Sequence, residues 1–181
     1  MATTADGYGM AQWQGKTALV TGASNGIGAA LAGRLLREGM HVVGCARRQD
    51  RVAEVLTAAD TSGQNSLAVE CDVRDEKSVQ KAFAAARKRF GGVDVLINNA
   101  GFFMPGQIQN EEDGVLESQI EANLYSAYHL TRAFLPTFQA QKLGHIFTIC
   151  STASITAYTA GGSYCISKFA LLGFTKVLRE E

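Results

Sequence analysis

Short apolar runs alternate with helical stretches along almost the whole chain, and this alternation narrows the fold more than any other feature. Residues 16–21 form an apolar run with Ala18-Leu19-Val20 at its centre. Residues 26–38 carry Ile27, Leu31, Leu35 and Leu36 at helical spacing, and Gly39 is placed to end that helix. Residues 41–46, 66–71, 93–98 and 145–150 read as further strands. Residues 50–59, 76–90, 111–138 and 163–180 read as helices, with Pro136 expected to kink or end the long one. The strands are continuously apolar rather than alternating, as strands covered on both faces are. Repeated strand–helix–strand units with right-handed crossovers build a doubly wound parallel sheet, Rossmann-like, in three layers α/β/α. A length of 181 residues suits one domain. Residues 1–14 read as a flexible N-terminal tail and 15–181 as the domain itself.

Charge excludes some partners. Lys plus Arg number 17 and Asp plus Glu number 17, so there is no electrostatic case for nucleic acid or an acidic membrane surface. No stretch is long and apolar enough to span a bilayer, and residues 1–14 lack the basic start and apolar run of a signal peptide. The four cysteines, Cys45, Cys71, Cys150 and Cys165, form no CxxC pair and no zinc-ligand spacing. Buried reduced thiols, no metal site and a cytoplasmic location are the expectation.

The first strand runs directly into Thr21-Gly22-Ala23-Ser24-Asn25-Gly26-Ile27-Gly28, which opens the first helix. That position makes a glycine turn credible as a phosphate cradle rather than a plain tight turn. Gly22, Gly26 and Gly28 let the backbone approach a pyrophosphate, and the helix start offers free N–H groups and the positive end of a dipole. Ser24, Asn25 and Ile27 belong to the same turn. The second strand ends in Cys45-Ala46-Arg47-Arg48. An acid there would bind the ribose hydroxyl of NAD. Two guanidinium groups suit a 2′-phosphate instead, which favours NADP(H), with Arg47 the better candidate and Arg48 beside it; a solvated surface pair is the alternative. Asp72 follows the third strand with Val73, and its carboxylate is placed either to accept from an adenine amine or to cap the next helix. Asn98-Asn99-Ala100-Gly101 closes the fourth strand with small residues and amides that suit a cofactor crevice, a plain turn being the alternative.

Taken in order, the glycine turn, Asp72, Asn99-Ala100-Gly101, Asn123, Ser151 and Tyr164-Cys165-Ile166-Ser167-Lys168 resemble the short-chain dehydrogenase/reductase family from about residue 16 to 181. The resemblance implies a serine–tyrosine–lysine site completed by an asparagine. Tyr164 is then the general acid of reduction. A free phenol has a pKa of about 10, and an ammonium one helical turn away, at Lys168, favours its ionised form. In the family this lysine also bonds the nicotinamide ribose. Ser151 is placed to stabilise charge developing on the substrate oxygen, with Ser154 its rival at a less fitting spacing. Asn123 corresponds to the asparagine that organises a water relay behind the lysine. Hydride comes from the cofactor.

Family members usually continue beyond this point with a sixth strand, a loop holding the nicotinamide, a lid and a seventh strand. The sheet is therefore expected to lack the family's last strands, leaving an open edge and an uncovered face on the last helix. Phe102-Phe103-Met104-Pro105 and residues 155–162 are apolar, aromatic or small, which favours a small uncharged carbonyl or alcohol substrate. Homodimers or homotetramers are expected by resemblance for a complete family member. A non-catalytic NADP-binding or dimerising module is the alternative function.

Overall fold

The computed structural model describes residues 9–181. Five strands form one parallel sheet: β1 (Thr17–Thr21), β2 (His41–Ala46), β3 (Ser66–Glu70), β4 (Val95–Asn98) and β5 (His145–Thr148). Their order is β3-β2-β1-β4-β5. The chain moves outward from β1 to β3, then crosses back to place β4 on the other side of β1. Strand order reverses at β1 and β4, which opens a crevice at their carboxyl ends. The register runs Thr17 to His41 and Ala18 to Val95, so these ends lie level.

Helices α1 (Gly26–Arg37), α2 (Gln49–Ala59), α3 (Glu76–Phe90), α4 (Val115–Ile120), α5 (Ser126–Gln141) and α6 (Gly162–Glu180) complete the architecture. The two faces of β1 explain the layers. Ala18 and Val20 point to a core shared with Ala32 and Leu36 of α1 and Val52 and Leu56 of α2. Leu19 points the other way, to Val79, Ala82 and Ala86 of α3 and Leu130, Phe134 and Phe138 of α5. A strand alternates its side chains, so an all-apolar strand must be covered twice.

The expected doubly wound sheet is present, and the strands are up to two residues shorter than the sequence suggested. The long helix differs more. It begins at Val115 rather than residue 111, after Gly114 at φ +87°, and residues 121–125 form a wide π turn between α4 and α5. Pro136 neither ends nor interrupts α5, which runs on to Gln141. The ring costs one backbone bond, and the burial of Phe134 and Phe138 on either side holds the helix through it.

Most of the expected tail, residues 1–8, lies outside the described residues. Met10–Trp13 form one 3-10 turn, and Met10 and Trp13 pack against the core over β1. Trp13 also meets His145 edge-on at 4.7 Å. No helix among the described residues is long and apolar enough to cross a membrane.

Candidate active site

A cleft of about 830 Å³ lies along the carboxyl ends of the strands. The turn after β1 forms its floor. Gly22 stands at φ +67° and Gly26 at φ +56°, a backbone region that favours glycine. A side chain on Gly28 would collide with the Gly22 carbonyl and the Asn99 side chain. Asn25 precedes α1 without capping it through its side chain, so the first-turn amides stay open towards the cleft that Asn25, Gly26 and Ile27 line.

The turn is braced from β4. Asn99 Nδ2 donates to the Thr21 carbonyl at 2.8 Å and to the Gly22 carbonyl at 3.4 Å. Thr21 Oγ1 accepts from the Asn99 and Ala100 amides at 3.0 and 2.9 Å. The sequence of residues 98–101 suggests a crevice wall; the bracing by Asn99, and by Thr21, arises only where the fold brings β1 and β4 side by side. A Thr at the end of β1 has no local signal for it.

One end of the cleft is cationic. Arg47 and Arg48 are exposed there, beside Asp72 and Val73. Asp72 does not cap α3; Asp75 does, accepting from the Lys77 amide at 3.1 Å. Instead the Asp72 carboxylate is gripped by Arg74, with Nε at 3.0 Å and Nη2 at 2.6 Å, and it accepts the Arg74 amide at 3.0 Å. The bonds from the Arg74 side chain hold the Asp72 carboxyl below the usual range, against an opposing desolvation. In the sequence Arg74 is one more charge in an acidic and basic run, and nothing local marks it as the partner of Asp72.

The other end carries the side chains read as chemical. Tyr164 and Lys168 sit one turn apart on α6 and both line the cleft, as does Ser151, which lies three residues beyond β5 and caps a 3-10 turn at Thr152–Ser154. Lys168 is 7% exposed. Its Nζ donates to the Ile149 carbonyl at 3.1 Å and lies 6.0 Å from the Tyr164 ring centroid. Burial pulls its ammonium below the ordinary lysine value, with Cys150 opposing. Phe103 packs edge-on against Tyr164 at 4.7 Å.

Ser151 and Ser154 separate cleanly. Ser154 is buried and its Oγ accepts from the Ser151 amide at 3.1 Å, while Ser151 Oγ accepts from the Ala153 amide at 3.1 Å and faces the cleft. Asn123 sits in the π turn and is 1% exposed. Its amide bonds the Phe102 backbone on both sides, at 2.9 and 3.1 Å, and Ser167 Oγ at 2.9 Å. Asn123 and Gly28 therefore stand behind the wall rather than on it. Gln119 does the same for Met104, accepting its amide at 3.4 Å and donating to its carbonyl at 3.1 Å. Glu111, expected to open the long helix, lies before α4 and instead accepts the Ser163 amide at the start of α6.

The doubly wound sheet and the glycine turn at its reversal point define a Rossmann-type protein. The comparisons make the class specific. The family model described as short chain dehydrogenase matches residues 16–181, so the chain belongs to that family. It is 33% identical to the 3-oxoacyl-[acyl-carrier-protein] reductase of Salmonella typhimurium, over 93% of this chain and 68% of that protein. It is 35% identical to the farnesol dehydrogenase of Aedes aegypti, over 95% of this chain and 72% of that one. A metagenomic short-chain oxidoreductase solved in complex with NADP superposes with a TM-score of 0.86 at 33% identity, covering 93% of this chain and 76% of that one. The chain thus spans about two thirds to three quarters of the length of these relatives.

Proposed function

We propose that the chain carries the site of an NADPH-dependent carbonyl reductase, working in reverse as an alcohol dehydrogenase. The observation that carries this is the meeting of Ser151, Tyr164 and Lys168 with the glycine turn and Arg47 in one cleft. The dinucleotide fits on the chain's own terms. The approach between Gly22 and Gly28 excludes any larger side chain, and the uncapped start of α1 suits a pyrophosphate. Arg47, with Arg48 beside it, supplies the bidentate donors a 2′-phosphate takes. The complex of NADP with a structural relative supports the same choice. Bound there, NADPH supplies hydride to the carbonyl carbon.

The chain's residues handle the oxygen. Ser151 donates a hydrogen bond to the substrate oxygen, and Tyr164 gives up its phenolic proton there as the alcohol forms. Lys168 holds positive charge behind the phenol, anchored by the Ile149 carbonyl. Asn123 keeps the 102 segment and α6 in register through Phe102 and Ser167. Asp72, shared with Arg74, faces the adenine end together with Val73. Phe102, Phe103 and Met104 make the substrate side apolar, which fits a small uncharged ketone. Self-association fits the exposed Tyr125, Tyr128, Phe169 and Val177 around α5 and α6, and a reduced cytosol fits the free cysteines.

The test is turnover of aryl and alkyl ketones with NADPH, with NADH in parallel, by wild type and Tyr164→Phe. Wild type is expected to oxidise NADPH in preference to NADH. Removing the phenol is expected to cost about 100- to 10,000-fold in kcat, with NADPH still raising the thermal midpoint of the variant. Turnover that survives Tyr164→Phe sinks the assignment of the proton donor.

A further inference from the structure

The segment after β4 is fastened to the stretch of chain that delivers Tyr164. Phe103 rests edge-on against the Tyr164 ring at 4.7 Å. The Gly106 amide donates to the Ala160 carbonyl at 3.0 Å. Glu111 closes the junction: its carboxylate accepts from the Ser163 amide at 2.9 Å and from the Ser163 hydroxyl. Ser163 is 1% exposed, lies in the first turn of α6 and directly precedes Tyr164.

The junction is built tightly. The Glu111 carboxylate fills the space where a side chain on Gly106 or Gly162 would stand. Ala160 is held at φ +63°, unusual for a residue with a side chain, and Gly162 at φ +33°. Such backbone persists only where its surroundings over-determine it. A carboxylate at the positive end of a helix is favourable, and hydrogen bonds to an ionised acceptor are about twice as strong as neutral ones. Glu111 supplies both.

We infer that Glu111 is a positioning residue for this site. It pins the first turn of α6 and, through Ser163, sets where the Tyr164 hydroxyl stands relative to Ser151 and Lys168. The inference rests on the proposed role of Tyr164 and extends it to a side chain that does not line the cleft. A misplacement of about 1 Å in a reacting group costs on the order of 100-fold in rate, so losing the anchor falls on kcat. The nucleotide's affinity is set at the far end, by the glycine turn and Arg47, and stays.

Fluorotyrosine-labelled full chain followed by fluorine NMR reads the position of Tyr164 without reference to activity. There are five tyrosines, and Tyr164→Phe assigns the resonance. In Glu111→Ala the Tyr164 signal is expected to shift or broaden while those of Tyr125 and Tyr128 stay. Ketone reduction with NADPH is expected to fall about 100-fold in kcat, with NADPH affinity unchanged. Glu111→Gln keeps an oxygen for the Ser163 amide and is expected to restore most of both readouts. Should Glu111→Ala fail to fold, Glu111→Gln and Ser163→Ala carry the test, each expected to move the signal in a smaller step. A Tyr164 signal that stays in place in every folded variant overturns the inference. A signal that moves in a chain with no turnover upholds the anchor and sinks the reductase reading alone.

Discussion

Lys168 has to be cationic for the proposed chemistry and is buried by the fold. At 7% exposure, with the Ile149 carbonyl as its hydrogen-bond acceptor, its ammonium is held below the lysine value of 10.5 mainly by desolvation. The consequence for stability has a definite sign. Below the folded value the group is charged in both states, and the folded state carries the full desolvation cost. As pH rises through the folded value towards the unfolded one, the folded state releases its proton first and the cost is withdrawn. Lys168→Met is therefore expected to raise the thermal midpoint at neutral pH, with a gain that shrinks as pH approaches the unfolded value. The same variant is expected to lose turnover, since stability and activity trade against each other at such sites. Calorimetric scans from neutral to alkaline pH check the first half; a gain that grows with pH rejects it.

At the scale of elements, the glycine turn and α1 behave as one unit because Gly28 lies against Gly22. Gly28→Ala pushes a methyl group into the Gly22 carbonyl and the Asn99 side chain. Overpacking of this kind costs about 1–3 kcal/mol, and here it moves the amides that face the cleft. A lower thermal midpoint together with weaker NADPH binding by fluorescence titration is expected. A lower midpoint with intact binding would show that the phosphates lie elsewhere. This unit was legible in the sequence because its signals are contiguous: an apolar strand, three spaced glycines, then a helical period. The spacing of Tyr164 and Lys168 likewise placed them on one helix face, and both line the cleft from α6. Glu111 was not legible in this way. Glu111-Glu112-Asp113 has the composition of an acidic first helical turn, yet Glu111 is bound to Ser163, 52 positions away. The π turn at Asn123 and the continuation of α5 past Pro136 depend likewise on distant partners, Phe102 and Ser167 for one and, for the other, the core of α3 and the sheet into which Phe134 and Phe138 pack, Phe83 included. Asp72 and Asp75 are both placed by sequence to cap α3, and the choice between them rests on contacts: Asp75 takes the cap, while Arg74 holds the Asp72 carboxylate.

For the whole molecule, the two sides of the sheet are unequal. β1, at the centre, is buried at every position, whereas β5, at one edge, alternates between exposed and half-buried residues. Phe147 on that edge is 51% exposed, and Ile166, Phe169 and Val177 of α6 are exposed as well. A strand edge with an aromatic on it offers unpaired backbone groups and apolar area to a second chain. Burying a side chain of this size stabilises an association by about 1.5–3 kcal/mol, so the 181-residue chain is expected to self-associate in a concentration-dependent way. Phe147→Lys places a charge on the edge and is expected to shift sedimentation towards the monomer. As an exposed substitution it should alter stability by no more than about 0.5 kcal/mol. Tyr128→Lys on the exposed side of α5 distinguishes the two surfaces. If it dissociates the chain and Phe147→Lys does not, copies meet through α5 and α6, and the open edge of β5 plays no part. If only Phe147→Lys acts, the association runs along the sheet, and covering β5 with a further strand should abolish it while leaving the nucleotide end of the cleft unchanged.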